Sequence, residues 1–140
     1  MKICCVCRRC YDHAVFACTE ENHDELLEGR QGSREIIENY RLEQLLGEDS
    51  AGEMYLATSV ALKKTCVARI LDAGSLDGSE NLSAQFLSEA GTLAAMHHPN
   101  IARVYDFGVL ESGEFFAAGE FIEGQTLRNC LGNVGLPTQV

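Results

Sequence analysis

Cysteine is concentrated in one short segment of the chain. Five of the seven cysteines of the 140-residue sequence fall within residues 1–18. Cys4 and Cys7 have the two-residue spacing of a zinc knuckle, in which two thiolates on a tight turn bind one tetrahedral ion at about 2.3 Å. Cys18 and His23 lie far enough downstream to complete the coordination from a second turn. A segment this short cannot bury a core of its own, so metal binding would supply its folding free energy.

Cys10 leaves the ligand set open. Cys4, Cys7 and Cys10 also match the start of a bacterial iron–sulfur run, in which the next cysteine follows after three residues and precedes a proline. Here the next cysteine is Cys18 and no proline follows it, so the fourth cluster ligand is missing. The pattern therefore favours zinc over an iron–sulfur cluster or unligated thiols, with His23 or Cys10 as the fourth ligand.

Composition and charge limit the classes of function. Hydrophobic residues make up 46% of the chain, enough for one domain core, and no run approaches the roughly 18 apolar residues of a membrane span. The net charge is −10, and residues 19–50 hold ten acidic against three basic side chains. Nucleic-acid affinity rests on basic groups that neutralise phosphates, so an acidic chain is a poor nucleic-acid binder. We expect a cytoplasmic protein with neither a membrane segment nor a nucleic-acid partner.

The elements that must position any site are predicted by periodicity. We expect a zinc-ribbon-like Cys-rich segment at 1–25, an acidic linker at 26–38 and a folded domain at 39–140. Within that domain, alternating or β-branched runs predict strands over 40–46, 53–58, 65–71, 101–109 and 115–121. Helical spacing predicts a helix over 83–96, ended by a His-Pro turn, and a second helix beginning within 124–131. The fold class is therefore α+β.

Short motifs occur along this domain in a characteristic order. They are the glycines of a turn, a third-strand Val-Ala-Arg, a helix glutamate and a Glu-Phe-Ile after the fifth strand: Gly47, Gly52, Val67, Arg69, Glu89, Glu120 and Ile122. In order and spacing the segment resembles the small N-terminal lobe of a bacterial-type serine/threonine protein kinase. The resemblance implies the protein-kinase-like fold of that lobe, a five-stranded antiparallel sheet with one long helix.

The resemblance also implies roles for these residues around one ATP–magnesium site. Gly47 and Gly52 would let the loop backbone approach the phosphates closely. Arg69 takes the place of the lysine that holds the α/β-phosphates and pairs with the helix glutamate, here Glu89. Val67 belongs to the same strand motif. Glu120 and Ile122 belong to the hinge, whose backbone N–H and C=O groups would form hydrogen bonds with the edge of the adenine ring.

Several positions depart from the family pattern. Asp49 replaces the middle glycine and, with Glu48 and Glu53, places three carboxylates near the nucleotide phosphates. Each like-charge pair about 4 Å apart would cost about 4 kcal/mol at an effective dielectric of about 20. Arg69 keeps the positive charge, but its planar fork differs from an ammonium. Gly119 at the gatekeeper position would either leave space behind the adenine or loosen its strand. We therefore expect ATP to bind weakly or not at all.

The catalytic aspartate and asparagine and the magnesium-binding aspartate of the family belong to the large lobe, and the 140 residues do not contain them. The sequence thus predicts the N-terminal portion of a kinase that phosphorylates a protein substrate with ATP, without activity in these residues alone. An alternative is a pseudokinase-derived protein-interaction module with a metal-binding head, because a small lobe alone exposes the surface that normally meets the large lobe.

Overall fold

The described part of the chain forms two antiparallel sheets and two helices. The computed structural model describes residues 1–20, 25–29, 36–50, 52–72 and 82–131. The elements are β1 Lys2–Cys4, β2 Cys10–Tyr11, β3 Leu26–Glu28, β4 Ile36–Ile37, β5 Tyr40–Asp49, β6 Gly52–Ser59, β7 Thr65–Leu71, α1 Leu82–Ala95, β8 Val104–Val109, β9 Phe115–Glu120 and α2 Leu127–Leu131. None of the described helices is long and apolar enough to cross a membrane.

The large sheet has the strand order β4-β5-β6-β7-β9-β8, and every neighbouring pair is antiparallel. The predicted five-stranded sheet, β5 to β9, is confirmed, and the two-residue β4 extends it at one edge. The predicted long helix is also confirmed, since α1 links β7 to β8. Together these elements form an α+β lobe.

Alternation along the strands gives the large sheet two different faces. In β6 the side chains of Tyr55 and Ala57 are fully buried, whereas Met54 between Glu53 and Tyr55 is 37% exposed. In β7, Ala68 and Ile70 are buried in the same way. Because successive strand residues point to opposite faces, one face carries the hydrophobic core and the other faces an open cleft.

Helix α1 packs mainly against the β8 and β9 edge of the sheet. The Phe86 ring stacks on the Phe115 ring with centroids 4.7 Å apart, and Ala90 is buried beside this contact. Leu93, one turn after Ala90, remains 47% exposed. The helix therefore covers one side of the lobe without closing over the cleft face.

The small sheet, of order β2-β1-β3, lies in the Cys-rich segment. Strand β3 is drawn from residues that were predicted to be linker, because Leu26 to Glu28 pair with β1. Likewise Ile36 and Ile37 pair with β5. The predicted acidic linker at 26–38 thus contains two paired strands. We call residues 1–20 and 25–29 the ribbon.

Candidate functional site

A cleft of about 610 Å³ opens on the exposed face of the large sheet. Its walls come from β5, β6, β7 and β9, from the segment before β8, and from the segment that joins β9 to α2. Leu46, Met54 and Val67 supply apolar side chains to it, and Glu120 and Ile122 lie along its edge. Three of the predicted nucleotide-binding residues, Val67, Glu120 and Ile122, therefore surround one space.

A smaller pocket of about 190 Å³ continues from Met54 under the turn between β5 and β6. We call residues 47–50 and 52 the Gly-rich loop. Its two glycines serve different purposes. A Cβ on Gly47 would meet no atom within 4 Å, whereas a Cβ on Gly52 would collide with the carbonyl oxygen of Ile70. Gly47 thus faces open space beside Arg69, and Gly52 is required by the close approach of β6 and β7.

The strand arginine pairs with the Gly-rich loop. Arg69 donates from Nη2 to Oδ2 of Asp49 at 2.9 Å, and both side chains are about half exposed. Glu89 instead accepts a hydrogen bond from Gln85, one turn earlier on α1. The expected Arg69–Glu89 pair is therefore absent from the described residues, because Asp49 provides a nearer carboxylate than the helix does.

The other two carboxylates expected near the phosphates, Glu48 and Glu53, also line the smaller pocket, and each is bonded to another protein group. Glu53 is only 3% exposed and accepts a hydrogen bond from the Tyr55 hydroxyl at 2.9 Å. Burial and the Glu53 carboxylate raise the pKa of Tyr55. Glu48 pairs with Arg8 of the ribbon at 3.7 Å. Strand alternation explains the placement of Glu53, since its neighbour Met54 takes the cleft side.

The hinge strand lies close against the residues before β8. The Glu120 N–H donates to the Arg103 carbonyl at 2.8 Å, and the Arg103 N–H donates to the Glu120 carboxylate at 3.2 Å. A Cβ on Gly119 would lie 2.7 Å from the same Arg103 carbonyl oxygen. Glycine at this position is therefore required by the approach of the neighbouring segment. In the described part of the chain, the Ile122 N–H donates to no protein group.

The ribbon brings three of the predicted metal ligands together. The Sγ atoms of Cys4, Cys7 and Cys18 all lie within 4.8 Å of one another, and those of Cys7 and Cys18 are 3.6 Å apart. Two thiolates on a tetrahedral zinc ion with bonds of about 2.3 Å would be about 3.8 Å apart. The spacing therefore suits a zinc ion.

Hydrogen-bond donors lie around the sulfurs of Cys4 and Cys18, whereas the pKa of Cys7 is raised despite a backbone hydrogen bond from Arg9, because burial and the neighbouring thiols outweigh it. The N–H groups of Val6 and Glu20 donate to Cys4 and Cys18 respectively, each at 3.4 Å, and the Tyr11 hydroxyl lies 2.9 Å from Cys18 Sγ. Burial raises the pKa of Cys4, but hydrogen bonds from the backbone of Cys7 and Val6 and from neighbouring thiols outweigh it and lower the pKa to about 6. Such N–H donors to sulfur are expected in a knuckle turn.

The remaining candidate ligands are Cys10 and His23. Cys10 is not part of the cluster, and it packs against the hydrophobic core. Burial, together with the charges of Glu43 and Glu53, raises the pKa of Cys10 to about 12, which disfavours the thiolate. His23 falls outside the described residues. The three-cysteine set thus accounts for the Cys-x-x-Cys signal, and the fourth ligand stays a prediction.

Sequence reasoning missed the contacts between ribbon and lobe. Gln44 donates from Nε2 to the Cys7 carbonyl at 2.8 Å, and the Leu45 N–H donates to the Arg8 carbonyl at 2.9 Å. Neither Gln44 nor Leu45 has a spacing or residue type that marks it as an interface position. By contrast, the sequence does contain a signal for the Arg69–Asp49 pair, because both residues differ from the family pattern.

The fold and the cleft define the class of this lobe: it is the small lobe of a protein kinase. Among solved structures, the kinase domain of Mycobacterium tuberculosis PknI superimposes with a TM-score of 0.60 at 21% identity, over 69% of this chain and 38% of that one. The apo form of PpkA-294 gives a TM-score of 0.58 at 23% identity, over 70% of this chain and 41% of that one. These likenesses establish the fold.

The sequence relatives are bacterial serine/threonine protein kinases, as the motifs predicted. The chain is 36% identical over 96 residues to pkn3 of Myxococcus xanthus, covering 69% of this chain and 17% of pkn3. It is 31% identical over 96 residues to PknJ of Mycobacterium tuberculosis, covering 69% of this chain and 16% of PknJ. The chain thus spans about a sixth of the length of these relatives. No protein-family model matches the chain.

Proposed function

We propose that residues 39–131 form the nucleotide-facing lobe of a bacterial-type serine/threonine protein kinase. The parent reaction would transfer the γ-phosphoryl group of ATP to a hydroxyl of a protein substrate. One observation carries the proposal: the cleft gathers the strand valine and the hinge around one space, and the adjoining pocket is lined by the Gly-rich loop and Arg69.

The cleft supplies the two kinds of contact that an adenine ring needs. The apolar side chains of Leu46, Met54 and Val67 would cover the faces of the ring, because they line the wall of the cleft. The N–H of Ile122, exposed at the edge, would donate to a ring nitrogen. Gly47 and Arg69 would face the phosphates from the adjoining pocket. The protein ligands of the magnesium ion that binds these phosphates would lie outside the small lobe.

We further propose that these 140 residues alone do not accelerate phosphoryl transfer. The reaction depends on a metal-binding aspartate and a catalytic aspartate, which these residues do not include. It also depends on the pair between the strand cation and the helix glutamate. In this lobe Arg69 is held by Asp49 instead. A protein kinase assay of the purified chain should therefore show no transfer above background.

Binding of adenosine tests the proposed cleft without requiring catalysis. We expect adenosine at millimolar concentration to perturb the amide resonances of Met54, Val67 and Ile122. Ala102→Trp should abolish this effect, because Ala102 is an exposed residue that lines the cleft. Ala61→Trp, at an exposed turn position remote from the cleft, is the matched control. Perturbations that survive Ala102→Trp unchanged would place adenosine elsewhere and contradict the proposal.

A second proposal concerns the ribbon: Cys4, Cys7 and Cys18 bind one zinc ion, with His23 as the fourth ligand. It is supported by the mutual approach of the three sulfurs. Protein purified without added metal should contain about one equivalent of zinc, because three thiolates and an imidazole form a tight tetrahedral site. A well-folded sample with less than about 0.2 equivalents of zinc would contradict it. Cys18→Ser should lose the metal, whereas Cys130→Ser, which alters an exposed thiol outside the cluster, should keep it.

A further inference from the structure

The metal-binding turn of the ribbon is joined directly to the first lobe strand. We call residues 4–9 the knuckle turn. Its backbone forms a bridge between Arg9 and Gln44, and its Arg8 carbonyl accepts the Leu45 N–H at 2.9 Å. The Gln44 amide donates to the Cys7 carbonyl at 2.8 Å. A proposed metal ligand, Cys7, and a residue of β5 thus share a hydrogen bond.

These contacts meet β5 at its irregular part. The pairing of β5 with β6 shifts register between Leu42 and Gln44 and again between Leu45 and Gly47. The second shift falls at Leu46, whose side chain lines the cleft. A bulge bends its strand and redirects a side chain. The knuckle turn therefore holds β5 immediately before the point that orients Leu46.

A third contact reaches the Gly-rich loop itself. Arg8 extends its guanidinium to Glu48 at 3.7 Å, one residue before Asp49. Arg8 has a left-handed backbone, with φ of 61°, which is uncommon for a residue with a side chain. The turn is closed by the Arg8 N–H on the Cys4 carbonyl and by the Cys4 N–H on the Arg9 carbonyl, each at 3.0 Å. The conformation that presents Arg8 is thus the conformation that brings Cys4 and Cys7 together.

We propose that metal binding at Cys4, Cys7 and Cys18 controls the order of the Gly-rich loop and of Leu46 in the nucleotide cleft. This inference rests on the zinc site proposed above and assigns that site a regulatory role. With zinc bound, the two turn cysteines are fixed on one ion, so the left-handed turn and its three contacts to β5 persist. Without zinc, the turn relaxes toward ordinary backbone conformations and releases Gln44, Leu45 and Glu48.

Hydrogen–deuterium exchange on the whole chain tests this coupling. Exchange of the amides of residues 45–49 should be about tenfold slower in zinc-loaded protein than after zinc removal with a chelator, because local opening of β5 becomes rarer. The amides of 66–70 in the interior strand β7, which β6 separates from β5, should change much less. Zinc content is measured by mass spectrometry on the same samples.

Two variants in adjacent residues separate coupling from metal binding. Arg8→Asn removes the contact to Glu48 while tolerating the left-handed backbone, so it should bind zinc and lose most of the slowing at 48–49. Arg9→Asn is the control, because its side chain pairs with Glu20 at 3.0 Å and not with β5. Arg9→Asn should bind zinc and keep the slow exchange at 48–49.

Each outcome decides between the two proposals. Full zinc occupancy with equal exchange at 45–49 in the loaded and stripped forms would overturn the coupling and leave the zinc site standing. Absence of bound zinc from well-folded protein would overturn both proposals. Equal loss of slowing in both variants would show that the Arg8–Glu48 contact does not transmit the effect, and would overturn the proposed route from the knuckle turn to the loop.

Discussion

The ion pair between Arg69 and Asp49 places a carboxylate in the pocket that we propose for the nucleotide phosphates. Asp49 is an exposed loop residue, and its carboxylate lies 2.9 Å from the guanidinium of Arg69, which lines the small pocket. In water-exposed geometry such a pair contributes about 0–1 kcal/mol. It can therefore be displaced, but any incoming phosphate must both release Arg69 and approach Asp49.

Neutralising Asp49 should favour phosphorylated nucleotides selectively. We expect Asp49→Asn to raise the affinity for ATP about two- to fivefold while leaving adenosine binding unchanged, because the lost interaction is of the exposed-pair size and acts only on phosphate. Parallel calorimetric titrations with ATP and adenosine measure both. Glu48→Gln makes the same charge change at a residue paired with Arg8, and it should have a smaller effect. An equal gain for adenosine and ATP would show that Asp49 acts on the cleft as a whole.

At the scale of elements, the β5–β6 hairpin combines an open loop with a tightly packed strand junction. The two glycines that bound it look equivalent in the sequence. In the structure, Gly47 borders open space and Gly52 lies against the Ile70 carbonyl. The hairpin is therefore fixed at its β6 end and free to admit a ligand at its β5 end.

Alanine at the two glycines should separate stability from binding. Gly52→Ala should destabilise the lobe by about 1–3 kcal/mol, since the added methyl group forces β6 away from β7. Gly47→Ala should change the free energy of unfolding by less than about 0.5 kcal/mol. Urea denaturation of both variants provides the comparison. Similar destabilisation at the two positions would mean that β6 and β7 can separate at this junction without cost.

Much of this element-level architecture was predictable, and its reasons are local. Alternating patterns indicated five strands, and their order followed from matching motifs such as Val67 to Arg69. The partner of Arg69 was not predictable, because several carboxylates were within plausible reach and only the three-dimensional path of the loop selects Asp49. Burial of Glu53 depended on strand register, which the sequence left open by one residue. The ribbon docks on β5 through its backbone carbonyls. Every residue has a carbonyl, so the sequence could not indicate which ones form these contacts.

At the scale of the whole molecule, the large sheet curls until its two sides meet. Strands β5 and β8 are separated by three others in the sheet order, yet the Tyr40 hydroxyl donates to Oδ2 of Asp106 at 3.2 Å. Burial, with a further contribution from the Asp106 carboxylate, raises the pKa of Tyr40 to about 12. This hydrogen bond links strands that no backbone ladder joins.

The Tyr40 contact predicts a loss of stability at alkaline pH. Below about pH 10 the phenol is protonated in both states, and between about pH 10 and 12 the unfolded chain loses the proton first, so rising pH favours unfolding. Cys10 and Tyr55 add to the same trend. Tyr40→Phe should therefore make the decline shallower in urea denaturation series across this range. Tyr105→Phe, at a 41% exposed site, is the control and should leave the slope as it is in the wild type. A slope unchanged by Tyr40→Phe would contradict the pKa shift.

The burial of Met1 and Ile3 in the lobe core bears on how the molecule folds. Both belong to one hydrophobic cluster with Phe116 and Ala118, so residues separated by most of the chain complete the same core. Closing so long a loop adds little to the equilibrium cost, since each doubling of length adds only about 0.6 kcal/mol. It slows folding, because the non-local contacts stabilise the chain only after the loop has closed. We therefore expect the contacts of Met1 and Ile3 with Phe116 and Ala118 to form late in folding.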